Sequence, residues 1–133
     1  MRIKICGVTT VHDALAAEAA GADAIGVVLF SRSPRSVGLG RAREIFSHLS
    51  PFTTRVAVSS TTSLEEYELL QSLGPDAIQV SSPFPRPDNS AIRIIRAVPR
   101  EGDLPGSAEC DALLLDESQG SGRPFDTAFA SDL

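Results

Sequence analysis

The chain has 133 residues and a mass of 14.0 kDa, the size of one domain with a real hydrophobic core. Hydrophobic residues make up 42% and charged residues 22%, the balance of a globular protein, which excludes a fibrous or disordered chain. With 12 basic and 17 acidic residues the net charge is −5, so polyanions are repelled on average and no nucleic-acid partner is expected. No apolar run is long enough to span a membrane, so no membrane partner is expected. Met1-Arg2-Ile3-Lys4-Ile5-Cys6 lacks the apolar core of a secretory signal, so the chain is expected to stay in the cytoplasm. Lys4 is the only lysine among the basic residues, so an anionic small molecule would meet a planar, two-pronged guanidinium. Cys6 and Cys110 are too few for a disulfide framework and too far apart for a metal-ligand pair, and both read as free thiols.

The first strand covers residues 2–6, and a helix opens after Thr10, with Asp13 three positions on, and stops at Gly21. A second strand at 24–29 leads through Ser31-Arg32-Ser33-Pro34-Arg35 to a helix at 41–49, ended by Pro51. The third strand, 55–58, precedes a helix that begins with the capping box Ser63-Leu64-Glu65-Glu66 and ends near Gly74. Strands follow at 77–80, 92–97 and 112–116, but the links 81–91 and 98–110 are too short and too rich in Pro, Gly and Asp for ordinary crossover helices. The outer helical layer is therefore expected to be thin there. Three segments repeat one pattern: Gly21-Ala22-Asp23-Ala24-Ile25, Gly74-Pro75-Asp76-Ala77-Ile78 and Glu109-Cys110-Asp111-Ala112-Leu113. A stop, a turn, an Asp and a buried apolar run is how a βα repeat re-enters a parallel sheet, so the fold class is α/β.

In a right-handed βαβ array the C-terminal ends of the strands share one functional face. Cys6 ends the first strand, Asp116 ends the sixth, and Arg35 lies in the loop after the second, so a thiol, a carboxyl and a guanidinium are offered to one cleft. That set suits proton transfer on a substrate bearing a carboxylate. Each residue also has a structural reading: Cys6 as a small buried hydrophobe, Asp116 as the cap of a turn, Arg35 as a solvated loop charge. His12 and His48 fall on outer helices and are given no catalytic role. Gly120-Ser121-Gly122-Arg123 reads either as a flexible turn or as a nest of backbone N–H groups for phosphate.

Lys4-Ile5-Cys6-Gly7-Val8-Thr9 resembles the opening of the phosphoribosylanthranilate isomerases, tryptophan-pathway enzymes built as (β/α)8 barrels. Five more segments resemble the family in order: Gly21-Ala22-Asp23-Ala24-Ile25-Gly26, Ser33-Pro34-Arg35, Pro51-Phe52-Thr53-Thr54-Arg55-Val56, Asp76-Ala77-Ile78-Gln79-Val80, and Leu114-Leu115-Asp116 running into Gly120-Ser121-Gly122-Arg123-Pro124-Phe125-Asp126. The resemblance implies a parallel (β/α) barrel-type fold of about six strands, without strands seven and eight, over residues 1–133 as a single domain. It implies an Amadori rearrangement of phosphoribosylanthranilate, a phosphorylated small-molecule substrate, with no cofactor. It further implies that Cys6 is the general base, Asp116 the general acid and Arg35 the anchor of the anthranilate carboxylate. Gln79, Gly120, Ser121 and Gly122 are implied to bind the substrate. The chain departs from the family pattern at Ser81-Ser82, where His-Gly is usual, and at Arg96, where Lys is usual. Open sheet edges lead to an expectation of self-association. The alternative is a non-catalytic relative that binds an aromatic carboxylate through Arg35 or serves as a self-associating structural module.

Overall fold

A computed structural model of the chain describes residues 1–84, 86, 91–99, 103–106, 108–116, 121, 122, 124 and 127. The elements run β1 (Lys4–Cys6), α1 (Val11–Ala19), β2 (Ala24–Val28), α2 (Leu39–His48), β3 (Thr54–Ser59), α3 (Leu64–Ser72), β4 (Ala77–Val80), β5 (Arg93–Val98) and β6 (Ala112–Leu115). All neighbouring strands are parallel and the sheet order is β1-β2-β3-β4-β5-β6, six strands of a half-barrel, as the sequence leads one to expect.

Side chains alternate across the sheet, so register separates the two faces. Ile25, Val27, Ala57, Ile78 and Ile94 lie on the outer face and pack against Ala14, Ala42, Ile45, Phe46, Tyr67 and Leu70 from the three helices. The inner face carries Cys6 beside Gly26, Val58 beside Gln79, and Ala97 beside Leu114. Among the described residues no helix joins β4 to β5 or β5 to β6. Phe84 covers the core in their place, stacking on Tyr67 with ring centroids 4.7 Å apart and planes at 19°.

The repeated aspartates have one structural task. Asp23 Oδ2 accepts from the Ile3 N–H at 2.7 Å, Asp76 Oδ2 from Arg55 N–H at 2.8 Å, and Asp111 Oδ2 from Ile94 N–H at 2.8 Å. In return each aspartate's own N–H donates to the carbonyl of the same residue, at 2.8 Å to Ile3, 2.9 Å to Arg55 and 2.8 Å to Ile94. Each Asp thus clips the start of the preceding strand to the turn that enters the next one. The internal repeat is the sequence trace of this clip.

Thr10 caps α1 by accepting from Asp13 N–H at 3.1 Å, and Ser63 caps α3 by accepting from Glu66 N–H at 3.3 Å. The capping box expected at Ser63 is relayed: the Glu66 carboxylate takes the Thr61 hydroxyl, and Thr61 Oγ1 accepts from Ser63 N–H at 3.0 Å. The C-terminus of α2 is closed by Arg55, whose guanidinium donates to the carbonyls of Phe46 at 3.0 Å and Leu49 at 2.7 Å.

Candidate active site

Cys6 and Asp116 belong to opposite edges of the sheet, since β1 and β6 are its outermost described strands. In a flat six-stranded sheet they would lie about 24 Å apart, at the usual spacing of about 4.8 Å per strand. Instead both line one cavity of about 440 Å³ at the C-terminal ends of the strands, together with Arg35 and Gln79. Curling of the sheet is what turns residues 110 positions apart in sequence into neighbours of one hollow.

Cys6 is the last residue of β1 and is half-buried. Its thiol rests above Gly26, where a Cβ would stand 3.1 Å from Cys6 Sγ, so a larger residue in β2 would push the sulfur out of place. Gln79 is 6% exposed, and its Oε1 accepts from Lys4 Nζ at 2.5 Å. An ammonium can only donate, so this bond fixes which end of the amide faces Lys4 and leaves the NH2 group as a donor elsewhere. Asp116 follows β6 directly, with its backbone N–H donating to Val98 O at 3.0 Å.

Arg35 is carried by a loop tied back onto β2. Val37 N–H donates to Val28 O at 2.8 Å, Ser36 N–H to Ser33 O at 3.0 Å, and Arg35 N–H to Ser33 Oγ at 3.2 Å. Pro34 removes a further freedom beside Arg35. The exposed guanidinium lies across the end of β1, with Nη1 donating to Cys6 O at 3.1 Å.

The cavity also has a hydroxyl lining of Ser31, Ser33, Ser59, Ser60, Ser81 and Ser82, which sequence reasoning missed. Its signal was a pair of serines at or just past the end of three successive strands, β2, β3 and β4. Ser121 and Gly122 are exposed and do not line this cavity, and Gly120 lies outside the described residues. Glu18 and Asp111 have clearly shifted carboxyls, and neither lines the cavity. The Thr53 hydroxyl, the Ser50 N–H and the nearby Arg55 hold the Glu18 carboxyl below its ordinary range. The Ile94 N–H, with Arg93 and Arg86, does the same for Asp111.

No family profile matches the chain. The N-(5'-phosphoribosyl)anthranilate isomerase of Methanoregula boonei is 51% identical over 131 residues, 98% of this chain and 66% of that protein. The chain thus spans about two thirds of the length of such relatives. The crystal structure of phosphoribosyl anthranilate isomerase from Thermus thermophilus matches with a TM-score of 0.81 and 36% identity, covering 98% of this chain and 70% of that one. A phosphoribosyl anthranilate isomerase in complex with reduced 1-(o-carboxyphenylamino)-1-deoxyribulose 5-phosphate matches 73% of this chain and 53% of its own, with a TM-score of 0.62 and 31% identity. On identity, coverage and fold together, the chain belongs to the phosphoribosylanthranilate isomerase family.

Proposed function

We propose that the chain catalyses the Amadori rearrangement of N-(5'-phosphoribosyl)anthranilate to 1-(2-carboxyphenylamino)-1-deoxyribulose 5-phosphate in tryptophan biosynthesis, without metal or organic cofactor. The observation that carries this reading is the meeting of Cys6, Arg35 and Asp116 on one cavity. Arg35 holds the anthranilate carboxylate with its planar fork. Asp116, protonated, gives its proton to the ring oxygen, and the C1–O bond breaks as the amine lone pair forms a C1=N bond. Cys6, as a thiolate, takes the C2 proton, and that electron pair forms C1=C2 while the C1=N pair returns to nitrogen. The enol so formed relaxes to the ketone by proton transfer to C1. Gln79 supplies amide donors to substrate oxygens, and the ligand held by the related isomerase supports a substrate of this class.

Gly120, Ser121 and Gly122 are the phosphate candidates; the positive φ of Gly122, 75°, supports a backbone nest there. Residues 1–133 act in this reading as one (β/α) domain in the cytoplasm. Among the described residues, no helix is long and apolar enough to cross a membrane. Exposed Ile3, Ile5 and Leu113 at the outer strands support self-association. The test is loss of anthranilate-type fluorescence when the chain is added to freshly made substrate. Turnover above the uncatalysed rate is expected; anthranilate binding with no turnover would favour a binding module.

A further inference from the structure

We infer that Gly7 is a positioning residue, a bare stretch of backbone on which the Arg35 guanidinium is laid so that its remaining N–H groups are free for a ligand carboxylate. The inference rests on Arg35 being the carboxylate anchor proposed above. Arg35 is exposed, and no ion pair holds it among the described residues. A long exposed arginine ordinarily samples many rotamers, and ordering it lowers affinity. Two contacts restrict it here: the bond from Nη1 to Cys6 O at 3.1 Å, and the surface of Gly7. A Cβ built on Gly7 would stand 2.5 Å from Arg35 Nη1, 2.8 Å from Cζ and 3.0 Å from Cδ. Backbone and guanidinium therefore touch at a distance that no side chain at position 7 allows.

Gly7 has a second reason to be glycine, its φ of +80°, and the two reasons are separable. Backbone strain is independent of what residue 35 is. The steric contact exists only while Arg35 is present. One of the five guanidinium N–H donors is spent on Cys6 O, which fixes the fork relative to the strand end that carries the thiol. Any carboxylate docked on the other donors is thereby held in a set position relative to Cys6.

A double-mutant cycle read by titration with anthranilate tests this, alongside thermal unfolding of each variant. Arg35→Ala is expected to weaken anthranilate binding by about 10- to 100-fold, the range of a charge-assisted bond. Gly7→Ala is expected to weaken it by about 10-fold in the wild-type background, yet by less than about 2-fold in the Arg35→Ala background. Its loss of melting temperature should be the same in both backgrounds. Gly7→Asn, which tolerates positive φ and carries the same Cβ, is expected to reproduce the binding loss with a smaller thermal effect, and it serves if Gly7→Ala fails to fold. Equal binding losses in both backgrounds, or no loss in the Gly7 variants while Arg35→Ala weakens binding, overturn the positioning role alone. Unchanged affinity in Arg35→Ala, or no binding of anthranilate to the wild-type chain, overturns the anchor reading and the inference with it.

Discussion

Cys6 and Asp116 stand where strand geometry ends, one closing β1 and the other just beyond β6, so their side chains can be changed with little effect on packing. Cys6→Ala and Asp116→Asn are each expected to lower turnover by about 10²- to 10⁴-fold, the usual contribution of a general acid or base, with the melting temperature nearly unchanged. Wild-type turnover in either variant would remove that residue from the chemistry. Lys4 holds the oxygen of Gln79, which lines the cavity. Lys4→Met frees that amide to rotate, and KM is expected to rise by about 3- to 10-fold with kcat roughly kept, the cost of one lost orientation. A fall in kcat at constant KM would instead place Lys4 in the reacting set. That Cys6, Arg35 and Asp116 meet on one cavity was legible because each ends or follows a strand on the face that the C-terminal ends of a βαβ array share. The serines were not, because a serine after a strand is ordinary turn chemistry until curling of the sheet gathers six of them around one hollow.

At the scale of elements, the strands were readable from short apolar runs and from the recurring Asp, whose clip explains why the pattern repeats. The Ser63 box was only half readable, since Thr61 intercepts the Glu66 carboxylate, a relay that residue spacing does not encode. The helix expected at 41–49 instead spans Leu39–His48, and Arg55, from the start of the next strand, closes its end. Arg55→Met removes donors from the Phe46, Leu49, Ser50 and Thr53 carbonyls and is expected to destabilise the fold by about 2–3 kcal/mol in denaturant unfolding. A change within about 0.5 kcal/mol would show that water replaces it without penalty. Asp111 makes the clip between β5 and β6 sensitive to acid. Its carboxyl is held low by Ile94 N–H, Arg93 and Arg86, so its contribution is complete above the ordinary carboxylate pKa of about 4 and is lost as pH falls through the lower folded-state value. Asp111→Asn is expected to be less stable than wild type at pH 7 and to lose less further stability below pH 4. Parallel stability curves for the two proteins across that window would show that Asp111 is not the titrating group.

For the molecule as a whole, the distribution of covered and uncovered apolar surface matters more than any single contact. The centre of the sheet is well buried: Ile25, Val27, Ile78 and Ala57 are less than 1% exposed beneath three helices. The outer strands differ, with Ile5 of β1 41% exposed and Leu113 of β6 46% exposed, and Ile3 beside β1 at 45%. Both strands also present a row of backbone N–H and C=O groups with no strand on their outer side among the described residues. An unpaired strand carrying exposed apolar side chains is a template for another chain, and neither strand carries a proline to blunt it. The net charge of −5 over 133 residues offers only weak opposition at ordinary ionic strength. The chain is therefore expected to self-associate at micromolar concentration, with a weight-average sedimentation coefficient that rises with concentration. Ile5→Lys combined with Leu113→Lys, which adds charge where side chains already reach solvent, is expected to shift the chain toward monomer without lowering the melting temperature of the core. A wild-type sedimentation coefficient that is monomeric and constant from about 1 to 100 µM, well above a micromolar Kd, would show that these strands are quiet as they stand and that their exposed residues drive no association.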